Sequence, residues 1–173
     1  MLVFGFGSLI NTKSLKATVP DAYDIKPGYI KSYVRDFSVW DLAGFTDTNL
    51  DIAGIPFCAV DIKDDPDKLA RVNGITFNID EAALEKLKTR EHDYELTRMT
   101  AYGYNNSKVV GDCLVFFANK NNGTFDFNSD AQMRYLEICL QGAKEYGEQF
   151  YKEFINTTFI GSQKLSEVAE LET

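Results

Sequence analysis

The chain has 173 residues, of which 45% are apolar and 25% charged; this is globular composition and excludes a largely disordered chain. At this length a single domain with a substantial core is expected. Eighteen Lys and Arg against 26 Asp and Glu give a formal net charge of −8, which repels phosphate backbones, so nucleic acid is not an expected partner.

The first ten residues, MLVFGFGSLI, carry no basic leader and no long apolar run, so they read as a strand over Leu2–Phe6 that stops at Gly7-Ser8 rather than as a signal peptide. Asn11–Ala17 suits a short helix, and Phe37–Asp41 alternates apolar and polar residues as a strand does. Ile52–Ile62 is a further strand-like run. Pro56 inside it has no N–H to donate, which makes it an edge strand or breaks it there. Ala70–Ile79 is a strand, and Asp80 is placed to cap a helix over Glu81–Arg90. Tyr94–Tyr104 and Lys108–Ala118 form a hairpin about Asn105-Asn106-Ser107. Ser129 and Gln132 have capping-box spacing. They open a run with Leu136, Cys139, Leu140, Ala143, Phe150 and Phe154 at helical spacing, which predicts one helix of about 25 residues. Gly142 and Gly147 weaken that helix or allow close packing. Gln163–Leu171 reads as a short helix or tail. The class is α+β, with a mixed, mostly antiparallel sheet curled toward a small β-barrel and helices on its flanks.

No segment reaches the ~20 apolar residues of a membrane-spanning helix. Cys58, Cys113 and Cys139 are an odd number without a CxxC pair, each in an apolar run, so buried free thiols and a reducing, cytoplasmic compartment are expected.

Two segments carry chemistry. Phe4-Gly5-Phe6-Gly7-Ser8-Leu9 ends a strand in a turn with few side chains over its N–H groups. Such a concavity can hold a carboxylate or phosphate, although a plain glycine turn has the same pattern. The second is Thr89-Arg90-Glu91-His92-Asp93-Tyr94 at a helix C-terminus. Partial negative charge there, with burial, makes a carboxyl group a better base, and Arg90 opposes this if it pairs with Glu91; a solvated charged turn is the plainer use of the same residues. His92 is the only histidine, and adjacent residues rarely converge on one ion, so a metal site is not expected.

Taken in order, these pieces resemble the γ-glutamylcyclotransferase-like superfamily of ChaC-type and AIG2-like proteins. The carrying residues are Phe4–Leu9, the extended stretch Pro27-Gly28-Tyr29-Ile30-Lys31-Ser32-Tyr33-Val34-Arg35-Asp36-Phe37, Gly74–Ile79, Arg90–Tyr94, and Tyr135–Ala143. The resemblance spans about residues 2–160, leaving 161–173 as a short helix or tail. It implies a small barrel with flanking helices and the cyclisation of a γ-glutamyl amide to 5-oxoproline with release of the amine. The implied partner is a small γ-glutamyl molecule, and no metal or organic cofactor is implied. By the same resemblance, Phe6, Gly7, Ser8 and Leu9 bind the glutamyl part, Glu91 is the catalytic carboxylate and Tyr94 its accompanying aromatic. Arg35 is a candidate for bidentate binding of a substrate carboxylate, with a salt bridge as its competing use. Phe6 stands where the family often has Tyr, and Asp41–Asp47 lacks the histidine-arginine-glycine segment of the ChaC type. Both departures motivate the alternative, a non-catalytic binding module or regulator on the same fold.

Overall fold

A computed structural model describes residues 1–41, 44–45, 52–53, 57–65, 69–92, 94–118 and 123–168. Its strands are β1 (Leu2–Gly5), β2 (Tyr23–Lys31), β3 (Tyr33–Asp41), β4 (Gly44–Phe45), β5 (Ile52–Ala53), β6 (Phe57–Asp64), β7 (Arg71–Asn78), β8 (Glu95–Gly103), β9 (Val109–Phe117), β10 (Thr158–Ile160) and β11 (Gln163–Lys164). Its helices are α1 (Thr12–Thr18), α2 (Glu81–Arg90), α3 (Asp130–Glu145) and α4 (Glu148–Thr157).

Five strands close a barrel in the order β1-β7-β2-β8-β9. All its pairs are antiparallel except the closing one, where Val3 and Phe4 lie beside Leu114 and Val115 in parallel. A second sheet runs β11-β10-β3-β6, with β10 parallel to β3. β4 and β5 pair as a short ribbon. This is the α+β barrel with flanking helices expected from the sequence. One continuous core includes Phe4, Phe37, Phe77, Val115, Leu136, Phe150 and Phe154, all at most 2% exposed.

The cap expected at Asp80 forms at α2, and at α1 Asn11, read from the sequence as the first helical residue, is itself the cap. Asn11 accepts from the Ser14 N–H at 3.0 Å and Asp80 from the Ala83 N–H at 2.7 Å, so each helix start gains a partner for an orphan donor. At α3 only half of the capping box forms. Ser129 Oγ accepts from the Gln132 N–H at 3.4 Å, but the Gln132 carbonyl oxygen turns to the Asp126 N–H at 2.7 Å.

Three expectations change. The long C-terminal helix is two helices, because Gly147 adopts φ +96° between α3 and α4, a conformation open in practice only to glycine. The stretch Pro27–Phe37 is not one extended run. Ser32, at φ +68°, divides it into β2 and β3, which enter different sheets. Residues after Thr157 are not helical at first: β10 and β11 form before a single 3-10 turn over Leu165–Glu167. The run around Pro56 does resume as an edge strand, since β6 ends its sheet; Pro56 itself lies outside the described residues. Cys113 and Cys139 are free and buried; the Cys58 side chain lies outside the described residues. Among the described residues no helix is long and apolar enough to cross a membrane.

Candidate active site

β1 delivers the chain into the turn Phe6-Gly7-Ser8-Leu9, and a 3-10 turn over Ser8–Ile10 returns it toward α1. The Ile10 N–H donates to the Gly7 carbonyl at 3.0 Å and the Asn11 N–H to the Ser8 carbonyl at 3.1 Å. α3 braces this turn from behind. A Cβ on Gly142 would stand 2.4 Å from Asn11 N and 2.8 Å from the Ile10 carbonyl carbon, so the helix touches the loop backbone where only a glycine allows it.

The opposite wall comes from the end of α2. Glu91 caps the helix, its N–H donating to the Leu87 carbonyl and its own carbonyl receiving the Tyr94 N–H, both at 2.9 Å. That tight return turns the Glu91 side chain, 14% exposed, toward the first loop. Together the two segments line one open cleft. Phe6, Gly7, Ser8, Leu9, Glu91 and Tyr94 are all on its wall, joined by Phe4, Gly5, Phe116 and Tyr135.

Arg90 holds the two walls in register. One guanidinium nitrogen donates to Ser8 Oγ at 3.0 Å and Ser14 Oγ at 3.2 Å, and the other to Thr18 Oγ1 at 2.7 Å and the Ser14 carbonyl at 3.3 Å. Its Nε lies 3.3 Å from Glu91 Oε1, and the side chain is 5% exposed. The sequence raised Arg90 only as a possible opponent of Glu91. Its tie to α1 depends on tertiary packing across more than seventy positions.

Arg35 is not in the cleft. It lies beneath the loop, fully buried, with Nε donating to Thr158 Oγ1 at 2.8 Å and its terminal nitrogens to the Phe6 carbonyl at 3.0 Å and to the Asn73 carbonyl and Oδ1, both at 2.7 Å. Its face rests on the Phe154 ring, 3.8 Å from the centroid. Burial pulls its pKa down to about 9, against the opposing pull of Cys139 and Glu153. Direct contact with a substrate carboxylate is therefore closed to it.

Tyr135 has the reverse fate. Helical spacing marks it as core, and it does pack edge-on against Phe37 at 6.2 Å, yet it also lines the cleft while 4% exposed. Phe116 was legible only as a β9 strand residue. Tyr102 and Tyr104 stay outside the cleft. Tyr102 stacks on Tyr29 at 5.3 Å, and the Tyr104 hydroxyl donates to Glu153 at 2.8 Å. His92 is exposed, and Asp93 lies outside the described residues. Among the described residues, no three His, Cys, Asp or Glu side chains gather as a metal site. Burial pushes the Cys113 and Cys139 thiols up to about 12, so both are held as neutral thiols and not as nucleophilic thiolates.

A family model described as ChaC-like protein matches residues 1–144. No curated protein matches the sequence. Among solved structures, a γ-glutamyl cyclotransferase is 17% identical with a TM-score of 0.67, over 96% of this chain and 94% of its own. An uncharacterised human protein is 17% identical with a TM-score of 0.63, over 96% of this chain and 93% of its own. A yeast γ-glutamyl cyclotransferase specific to glutathione is 13% identical with a TM-score of 0.54, over 96% of this chain and 91% of its own. At these identities the likeness speaks for the fold. The family match runs from β1 through the part of α3 that braces the loop, and the chain belongs to the ChaC-like protein family.

Proposed function

We propose that the protein cyclises a γ-glutamyl amide, such as a γ-glutamyl peptide, amine or amino acid, to 5-oxoproline and releases the amine. The observation that carries this reading is that the Gly7-Ser8-Leu9 turn and the Glu91 side chain line one cleft. The nucleophile is the substrate's own α-amine, so the protein must supply shape and proton transfer and no attacking side chain. Because nucleophile and electrophile already share one molecule, what positioning adds is the fixing of the substrate's internal rotors in the shape that sets the α-nitrogen against the γ-carbonyl.

In this mechanism Glu91 takes a proton from the α-ammonium. The freed amine attacks the γ-carbon, closing the five-membered ring as the carbonyl becomes an oxyanion. Glu91 passes that proton to the amide nitrogen as the C–N bond breaks, then takes the second proton from the ring nitrogen and hands it to the released amine. Both protons lost by the α-nitrogen thus end on the released amine. Among the described residues, the Gly7, Ser8 and Leu9 N–H groups donate to no protein group. They are assigned to the substrate, as anchors for the α-carboxylate or donors to the oxyanion. Phe6, Tyr94, Phe116 and Tyr135 wall the space around the reacting atoms.

The test is incubation with γ-glutamyl dipeptides, glutathione and γ-glutamyl amines, with 5-oxoproline followed by mass spectrometry. Product from at least one class is expected. Glu91→Gln should lower kcat/KM by on the order of 10²–10⁴-fold with the fold intact, the usual worth of a positioned acid–base group. Folded protein that yields no 5-oxoproline from any class rejects the reading. Thermal stabilisation by these compounds without turnover would point instead to a binding module.

A further inference from the structure

Arg35 combines three features. It is wholly buried, it is cationic, and every hydrogen bond it makes goes to a neutral acceptor: Thr158 Oγ1, the Phe6 carbonyl, and the Asn73 carbonyl and Oδ1. The nearest contributing carboxylate, Glu153, is itself clasped by Arg71 at 2.7 and 2.8 Å and by the Tyr104 hydroxyl. Burying a charge without a paired carboxylate is expensive, and an apolar side chain of similar volume would often serve packing as well or better. The charge therefore calls for a use that packing does not supply.

The bond to Phe6 supplies one. The Phe6 carbonyl and the Gly7 N–H are the two ends of one peptide group, with the oxygen turned inward to Arg35 and Gly7 on the cleft wall. Donation from a cation to the oxygen draws electron density across that peptide and makes its N–H a stronger donor. The full charge behind the loop also favours an anion in front of it. We infer that Arg35 is a positioning residue that acts through the Phe6–Gly7 peptide, fixing the loop's conformation and strengthening the Gly7 N–H toward the substrate carboxylate or oxyanion. This rests on the cyclotransferase reading for the identity of the ligand, but not for the polarisation of the peptide.

The experiment compares wild type, Arg35→Lys and Arg35→Met, with folded fractions matched by circular dichroism. In ¹H–¹⁵N spectra the Gly7 amide proton of Arg35→Met is expected to move upfield, while the Ile10 amide, which reports the closed turn, stays in place. On the γ-glutamyl compound that wild type turns over best, Arg35→Met is expected to lose about tenfold or more in kcat/KM, short of the ~10²–10³-fold cost of deleting an oxyanion donor outright. Arg35→Lys, which keeps the charge, is expected to retain most of the activity. A purely structural Arg35 would destabilise both variants alike and leave activity per folded molecule unchanged. That result, with an unmoved Gly7 amide, overturns the inference. If Arg35→Met does not fold, wild type decides: the Phe6 carbonyl ¹³C resonance is expected downfield of its random-coil position, and a resonance at or upfield of that position overturns the inference. A wild type that cyclises nothing overturns the functional reading instead, and the spectra still test Arg35.

Discussion

Arg90 shows how much one side chain can organise. Its guanidinium reaches Ser8 on the loop, Ser14 and Thr18 on α1, and Glu91 beside it, so three segments are referenced to one planar group. Arg90→Met keeps the stem's volume and deletes those donors, including the guanidinium nitrogen 3.3 Å from Glu91 Oε1. The expected loss is roughly 2–4 kcal/mol, given the partial exposure of Glu91, read as a lower urea midpoint at unchanged slope. The folded fraction should also lose turnover, since the carboxylate is no longer held toward Ser8. Unchanged stability and activity would show that the contacts are incidental. At this scale the glycine turn and Glu91 each have a plainer use when read alone, and only their order along the chain with the other matching pieces set them apart. Arg35 was misread: a substrate carboxylate was its candidate partner, and only the assembled sheets turn it inward beneath the loop. Tyr135 is core, as its helical spacing indicates, and the assembled fold also sets it at the cleft wall.

At the scale of elements, α3 and the first loop act as a pair. The contact at Gly142 leaves no room for a methyl group, because the obstructing atoms are Asn11 and Ile10 backbone rather than a flexible side-chain end. Gly142→Ala must push the loop away or tilt the helix, at about 1–3 kcal/mol. It should lower kcat/KM although Gly142 does not line the cleft. Gly147→Ala is the control. Nothing lies within 4 Å of its would-be Cβ, but its φ of +96° puts the strain in the backbone, of order 1–3 kcal/mol. Stability should fall in both variants and turnover only in the first; equal turnover in both would show that the loop does not depend on the helix. Element boundaries were largely legible because Asp80, Asn11 and the Asn105-Asn106-Ser107 turn carry their own local signals. The break between β2 and β3 was not, because nothing in the extended stretch Pro27–Phe37 signals that Ser32 turns it from the barrel into a second sheet. The split between α3 and α4 was hidden because apolar spacing continues across Gly147 and says nothing of the sign of φ there.

For the molecule as a whole, the family match ends at residue 144, but the core does not. β10 lies parallel to β3 with Thr158 opposite Arg35, and Ile160, Leu165 and Val168 are at most 3% exposed. Three such side chains are worth roughly 1.5–3 kcal/mol each, a large part of the ~5–15 kcal/mol that holds a domain together. Removal of residues 158–173 should therefore abolish a cooperative thermal transition, and a truncated chain that melts like the full one would contradict this. Barrel architecture was legible from the alternation of strands and turns. The parallel seam was not, since no local signal tells a first strand to wait for a ninth. That seam has a temporal meaning. During synthesis the opening residues emerge from the ribosome first, but their berth between β7 and β9 does not exist until about residue 117 has followed. Contacts so distant along the chain form slowly, and until they do an apolar N-terminal strand is left without its shelter. The turn that follows it is translated before β7 and β9 and takes its shape only after them, so a partly made chain has no cleft with which to act.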